Sequence, residues 1–461
     1  MPIVAAAVVP HPPLIMPEVG RGQEKVIQKT IDAYRAVMAR AAALEPNLVI
    51  VTSPHSVMYA DYFHISPGAG ATGNFAAFRA PNLTVTTEYD TEFSAALSEQ
   101  CKVNGIPAGT LGEKNPALDH GTLIPLRFWS EHRPNCKTIR IGLSGLPAKT
   151  HYALGQAIAK VADELGRRVF FIASGDLSHK LKADGPYGFA PEGPEFDKFA
   201  MAALGAGDFL PLLETEKKLA DGAAECGLRS FWIMCGALDK KAVKSEVLSY
   251  EGPFGVGYGV AWLLPTGDDP TRDFGRQVTE RAQAKLVERK KNEDAFVRLA
   301  RYSLETYVKT GKFAAMPDAL PSELADTQAG AFVSLKKDGN LRGCIGTFLP
   351  TQKNLAAEIM QNAVSAAVRD PRFSPVRVDE LADLVYSVDV LTAPERIDSE
   401  SELDPARYGV IVKNGSRQGL LLPALDGVDT VQQQISIAKQ KAGIGQAEPV
   451  ELRRFEVVRH H

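Results

Sequence analysis

Cysteine is scarce in this chain. Five occur in 461 residues, at 101, 136, 226, 235 and 344, an odd number with no Cys-x-x-Cys pair among them. That spacing argues against a disulfide scaffold, a zinc ribbon and a cysteine-ligated iron–sulfur cluster, so a metal held here is expected to draw on histidine and carboxylate. An excess of one charge is missing too. The net charge is -3, which leaves no nucleic-acid footprint and no polybasic patch for a membrane surface. No apolar run reaches the roughly 20 residues that span a bilayer. The opening Met-Pro-Ile-Val-Ala-Ala-Ala-Val-Val-Pro is apolar, but it has no basic segment before it and proline interrupts it, unlike a signal peptide. These absences predict a cytoplasmic protein with neither nucleic acid nor membrane as partner.

The length predicts about two or three domains. Val169 to His179 is the stretch the first of them is organised around: an apolar run rich in β-branched and aromatic residues that breaks at Ser174-Gly175 and then presents Asp176, Ser178 and His179. It reads as a buried strand ending in a tight loop. Ile3 to Val9 ends in the same way at Pro10-His11-Pro12-Pro13, and Leu48 to Thr52 ends at Ser53-Pro54-His55. A single loop histidine is bland. Three histidines after three strand ends converge if the strands are parallel neighbours, because ligands of open α/β sheets sit beyond the carboxyl ends of the strands.

Helical and strand patterns alternate up to residue 265, which makes the fold class of residues 1–265 α/β. Residues 66–82, rich in Gly, Ala and Pro, read as a long surface loop. Ile106 to Leu111 reads as a strand, and Glu195 to Leu213 and Thr215 to Leu238 as two helices. Glu225 is the only acid in the apolar part of the second helix, and a buried carboxylate needs a partner or a metal. The alternative is a solvated glutamate on a helix face. His120, beside Asp119, stands where a polar, turn-rich segment becomes apolar. Gly255-Val-Gly-Tyr-Gly259 lacks the following helix of a dinucleotide site. Residues 266–273 read as a linker. In residues 274–461 the strands come as hairpins, one signalled by Lys337-Asp338-Gly339-Asn340, which predicts a smaller α+β domain. There, Arg342-Gly343-Cys344 reads either as a reactive or ligand-contacting thiol with its pKa lowered by the arginine, or as a small buried cysteine in a tightly packed hairpin.

These motifs carry a family resemblance. His11-Pro-Pro-Leu14, Ser53-Pro-His55, Asp119-His-Gly121, Gly175-Asp-Leu-Ser-His179 and Glu225 before an apolar helix resemble the class III extradiol ring-cleavage dioxygenases and the related MEMO proteins. Leu341-Arg-Gly-Cys-Ile-Gly-Thr347 resembles the hallmark of the AMMECR domain. Together they resemble the fusion proteins of the AmmeMemoRadiSam system, which pairs both domains with a separate radical SAM protein. The resemblance implies a three-layer first domain with a central, mostly parallel sheet. It also implies His11, His55 and Glu225 as ligands of Fe(II), since two imidazoles and a carboxylate leave positions open for substrate and oxygen. His179 is then the acid/base residue, His120 a hydrogen bonder to substrate, and Asp176 orients His179. MEMO proteins place a cysteine where the dioxygenases place the glutamate, and Cys226 stands beside Glu225 as the alternative ligand, which would favour Zn or Cu.

The function so implied is that of a non-heme iron oxidoreductase acting on a small phenolic or catecholic substrate. The rivals are a metal-binding adaptor of the MEMO type and an accessory partner of a radical SAM protein. A homo-oligomer stays among the partners allowed.

Overall fold

The computed structural model describes residues 1–461 apart from 116, 134, 135, 338 and 426. It divides into two compact units, Met1–Arg281 and Ala282–His461.

The first unit is built on a six-stranded sheet: β1 (Ile3–Val9), β2 (Leu48–Ser53), β3 (Lys137–Gly142), β4 (Val169–Ser174), β5 (Lys241–Glu251) and β6 (Tyr258–Asp268). Their order across the sheet is β3-β2-β4-β1-β6-β5. The first four are mutually parallel, β6 is antiparallel to β1, and β5 is antiparallel to β6. Every residue of β1, β2 and β4 is buried, which explains their unbroken apolar runs: a parallel strand covered on both faces has no polar side to show. Side chains alternate between two cores. Ala6, Val8, Ile50, Phe171 and Ala173 face one core with helices α3 (Ala148–Glu164), α4 (Glu192–Ala206) and α5 (Leu228–Ala237). Ala7, Val9, Val51, Phe170 and Ile172 face the other with α1 (Gln28–Ala43) and α2 (His120–Ser130). The result is the expected three-layer α/β arrangement. Because β2, β4 and β1 are neighbours, with Val9 opposite Ser174 and Thr52 opposite Ala173, the loops carrying His55, Asp176 to His179 and His11 leave the sheet side by side.

Several local expectations are corrected. Residues 66–82 do not form a loop: Gly70–Phe75 pairs antiparallel with Ala80–Glu88, and the alternating burial of Gly70–Phe75 shows one face against the core that Gly and Ala had disguised. The strand expected from Ile106 shrinks to Ala108–Gly109, paired with Phe63–His64. The helix expected over Thr215–Leu238 is broken into Lys217–Ala223 and α5, with Ala224 in the left-handed region (φ 52°) between them. Nor do residues 266–273 form a free linker. β6 runs to Asp268, which pairs in register with Lys241 and holds its ammonium at 2.5 Å. Asp269 then caps a turn, and helix α6 (Phe274–Asn292) follows, its Phe274 buried in the first unit's core.

The second unit is α+β, with antiparallel pairing throughout its described strands. One sheet has the order β8-β7-β9-β14, from β7 (Ala331–Lys337), β8 (Asn340–Gly346), β9 (Val385–Leu391) and β14 (Val457–His460), with α7 (Ala295–Thr310) and α8 (Leu355–Val368) packed on it. The other has the order β10-β13-β11-β12, from β10 (Glu395–Ile397), β11 (Gly409–Asn414), β12 (Arg417–Leu421) and β13 (Glu451–Phe455). The expected hairpin forms, with Lys337 opposite Asn340 and Gly339 at φ 78°; Asp338, part of its signal, lies outside the described residues.

No helix among the described residues is long and apolar enough to cross a membrane.

Candidate metal centre

His11 follows β1 and is almost wholly buried, at 1% exposure. Its ring is fixed by a chain of hydroxyl and carbonyl groups. The single proton of the Ser174 hydroxyl is donated to Gly121 O at 2.6 Å. Ser174 Oγ can therefore only accept from His11 Nδ1, 2.9 Å away. His11 is thus the Nδ1–H tautomer, and its Nε2 presents a bare lone pair. That lone pair accepts a hydrogen bond from His55 Nε2, 3.0 Å away. Burial, and next the neighbouring His55, pull the pKa of His11 down to about 3, so the ring is neutral and ready to ligate. Two imidazole nitrogens bound to one tetrahedral ion stand about 3.3 Å apart at ordinary metal–nitrogen distances. The observed spacing suits an ion placed between them.

The third ligand atom in reach is a sulfur. Cys226 Sγ is 3.6 Å from His11 Nε2, and His11, His55 and Cys226 form a group whose ligand atoms all lie within 4.8 Å of one another. Glu225, the ligand preferred from the sequence, belongs to no such group among the described residues. Its carboxylate accepts from Leu228 N at 2.6 Å and so caps the start of α5, and burial raises its pKa to about 7. The helix break causes this division of labour: one residue of a left-handed turn points into the cleft and its neighbour points back along the helix. The break depends on two glycines. A Cβ on Gly175 would lie 2.1 Å from Gly227 Cα, so only glycine lets the loop after β4 touch the segment that carries Cys226.

Asp176 and His179 also reach the cleft, where they form a ligand group with Cys226. Asp176 does not orient His179; its Oδ1 accepts the His11 backbone N–H at 2.8 Å, and its own N–H points to Cys226 Sγ at 3.2 Å. Burial raises the Asp176 pKa. His179 is oriented by the left-handed residue: Nδ1 donates to Ala224 O at 2.7 Å, which leaves Nε2 as a lone pair. The edge of Tyr187 lies against its ring, with centroids 5.2 Å apart. His120 sits on His55 with centroids 3.9 Å apart and against Phe78 at 5.3 Å. Burial, then His55 and His11, hold its pKa near 4, so it too is neutral. It is the first residue of α2, whose Asp119 cap accepts from Thr122 N and from Ser53 Oγ. Ser53 in turn receives the His55 N–H at 3.2 Å. Sequence reasoning missed Ser53, Ser174 and Ala224, whose signal is only that they adjoin the strand ends and the break.

In the second unit, Arg342 and Cys344 are each held by protein partners. The Arg342 guanidinium binds both oxygens of Glu380, at 2.9 Å each, and reaches Ser374 O. It does not activate the thiol. Burial raises the Cys344 pKa, Ser334 Oγ donates to its sulfur at 3.2 Å, and Asp370 accepts its backbone N–H.

Side chains of the kinds that can hold a metal gather at the carboxyl edge of the sheet. Residues 5–261 match the catalytic LigB subunit of aromatic ring-opening dioxygenase, and residues 297–460 match AMMECR1. The chain belongs to the LigB family, whose members are typically metal-dependent, and carries an AMMECR domain after it. A Clostridium acetobutylicum protein is 42% identical over 460 residues, 98% of this chain and 97% of that protein. A Thermotoga maritima protein is 54% identical over 170 residues, 36% of this chain and 98% of its own length. Among solved structures, an uncharacterised Pyrococcus horikoshii protein is 34% identical, with a TM-score of 0.34, over 36% of this chain and 88% of that one.

Proposed function

We propose that the first unit is a metal-dependent oxidoreductase of the extradiol-dioxygenase type, acting on a small phenolic or catecholic substrate. The observation that carries this reading is the pair of neutral imidazoles, His11 and His55, facing each other through Nε2 at 3.0 Å. Fe(II) is the ion in this reading, held by His11, His55 and the Cys226 sulfur. Such an ion supplies open coordination positions for a chelating diol and for oxygen. The chain does the rest. His179, oriented by the Ala224 carbonyl at Nδ1, takes the phenolic proton on Nε2. His120 and Phe78 wall one side of the cleft and limit it to a flat ring, with His120 hydrogen-bonding the substrate. A radical SAM protein is the partner this reading assigns to the AMMECR domain.

A second reading is favoured by Cys226. A thiolate in place of a carboxylate suits Zn or Cu, and such a centre could serve a binding protein without turnover. Anaerobic metal analysis followed by catechol titration separates the two. Iron with a charge-transfer band on catechol addition supports the oxidoreductase; zinc or copper with no spectral response to catechol refutes it.

A further inference from the structure

Cys226 belongs to two ligand groups at once. One is His11, His55 and Cys226; the other is Asp176, His179 and Cys226, again with all ligand atoms within 4.8 Å of one another. We propose that the cleft has a second metal position, formed by Asp176, His179 and Cys226, in which the Cys226 sulfur bridges two ions. The inference rests on the first position being a metal site.

Three features prepare the second group for a cation. Asp176 is a carboxylate at 6% exposure with Oδ1 occupied by His11 N–H, while no hydrogen bond reaches Oδ2 among the described residues; the nearest basic nitrogen, His11 Nε2, is 4.0 Å away. Oδ2 is thus tied to no protein donor and is the oxygen a cation in the cleft would meet. His179 is held through Nδ1 by Ala224 O, which leaves Nε2 as the ring nitrogen free to meet an ion. Cys226 Sγ belongs to both groups, 3.6 Å from His11 Nε2 and 3.2 Å from Asp176 N, and once a metal displaces its proton the sulfur has lone pairs for two ions. The donor set of one imidazole, one carboxylate and one thiolate suits a borderline divalent ion such as zinc.

The position has a functional consequence. An ion there occupies the His179 nitrogen that proton transfer needs, so zinc at the second position stops turnover supported by iron at the first. The site is inhibitory and reports metal excess.

Equilibrium dialysis of the metal-stripped full chain against zinc tests this. Wild type is expected to bind two ions per chain, His179→Gln and Asp176→Asn one, and His55→Gln to lose the tighter site. Asparagine keeps the oxygen that accepts His11 N–H, and circular dichroism with urea melts establishes that each variant is folded. One ion per chain, unchanged in His179→Gln, overturns the second position and leaves the first intact. One ion lost equally in His179→Gln and His55→Gln overturns it as well, in favour of a single mixed site. No ion in wild type removes the first position and this inference with it.

Discussion

Gly175 and Gly227 meet backbone to backbone, so closely that a methyl group on the first would stand 2.1 Å from the Cα of the second. One glycine ends the strand that leads to Asp176, and the other follows Cys226. Replacing Gly175 by Ala should push the two segments apart and cost about 1–3 kcal/mol, the usual penalty of overpacking. Urea denaturation reads the stability, and zinc stoichiometry reads the displaced sulfur; a variant with wild-type values of both would refute this account of the contact.

Cys226→Ala should empty the His11–His55 position, whereas Glu225→Gln should keep the metal. The glutamine still accepts from Leu228 N, so its cost should stay below the ~1 kcal/mol of a lost helix cap. Metal analysis of the two purified variants, side by side, checks the assignment. Iron lost from Glu225→Gln and retained by Cys226→Ala would reverse it.

His179→Gln should keep the ion at His11 and His55 while slowing turnover of a catechol by about 10²–10⁴-fold, the range for losing a general base. Activity restored by adding imidazole would point to proton transfer; loss of the first ion would point to a ligand instead.

Much of this site could be read from the sequence. β1, β2 and β4 announce themselves as apolar runs because they are buried on both faces, and the turn residues after them bring His11, His55 and His179 to one edge. The choice between Glu225 and Cys226 could not be read. It depends on a left-handed Ala224, a conformation that no alanine signals, and on a glycine contact between segments about fifty residues apart. The tautomer of His11 was equally hidden, since it follows from where a serine hydroxyl sends its proton. The hairpin at 70–88 escaped because glycine and alanine carry no strand pattern.

The Glu380 carboxylate, held by Arg342, has its pKa lowered to about 2, first by that hydrogen-bonded pair. A carboxyl depressed in the folded state stabilises above its ordinary value near 4.5 and loses that contribution as pH falls toward 2. Hydrogen exchange in β7 and β8 of the full chain should therefore quicken between those limits. Arg342→Ala should weaken the region by about 2 kcal/mol at neutral pH and flatten this acid response.

Cys344, with its pKa raised and a serine proton on its sulfur, should resist brief iodoacetamide treatment near neutral pH. Peptide mapping before and after denaturation is the measurement. Rapid native labelling would restore the reactive-thiol reading.

The break between Lys217–Ala223 and α5 does two jobs within three residues: Ala224 O aims His179, and Cys226 supplies the sulfur. For protein engineering this fixes the unit of exchange. Grafting a two-histidine, one-carboxylate centre into this scaffold means writing an aspartate at 226, where the side chain already faces the imidazoles, and leaving 225 to its helix. Transplanting the native chemistry elsewhere means moving the whole break with its flanking glycine, because the backbone that orients the base and the side chain that ligates are one peptide segment.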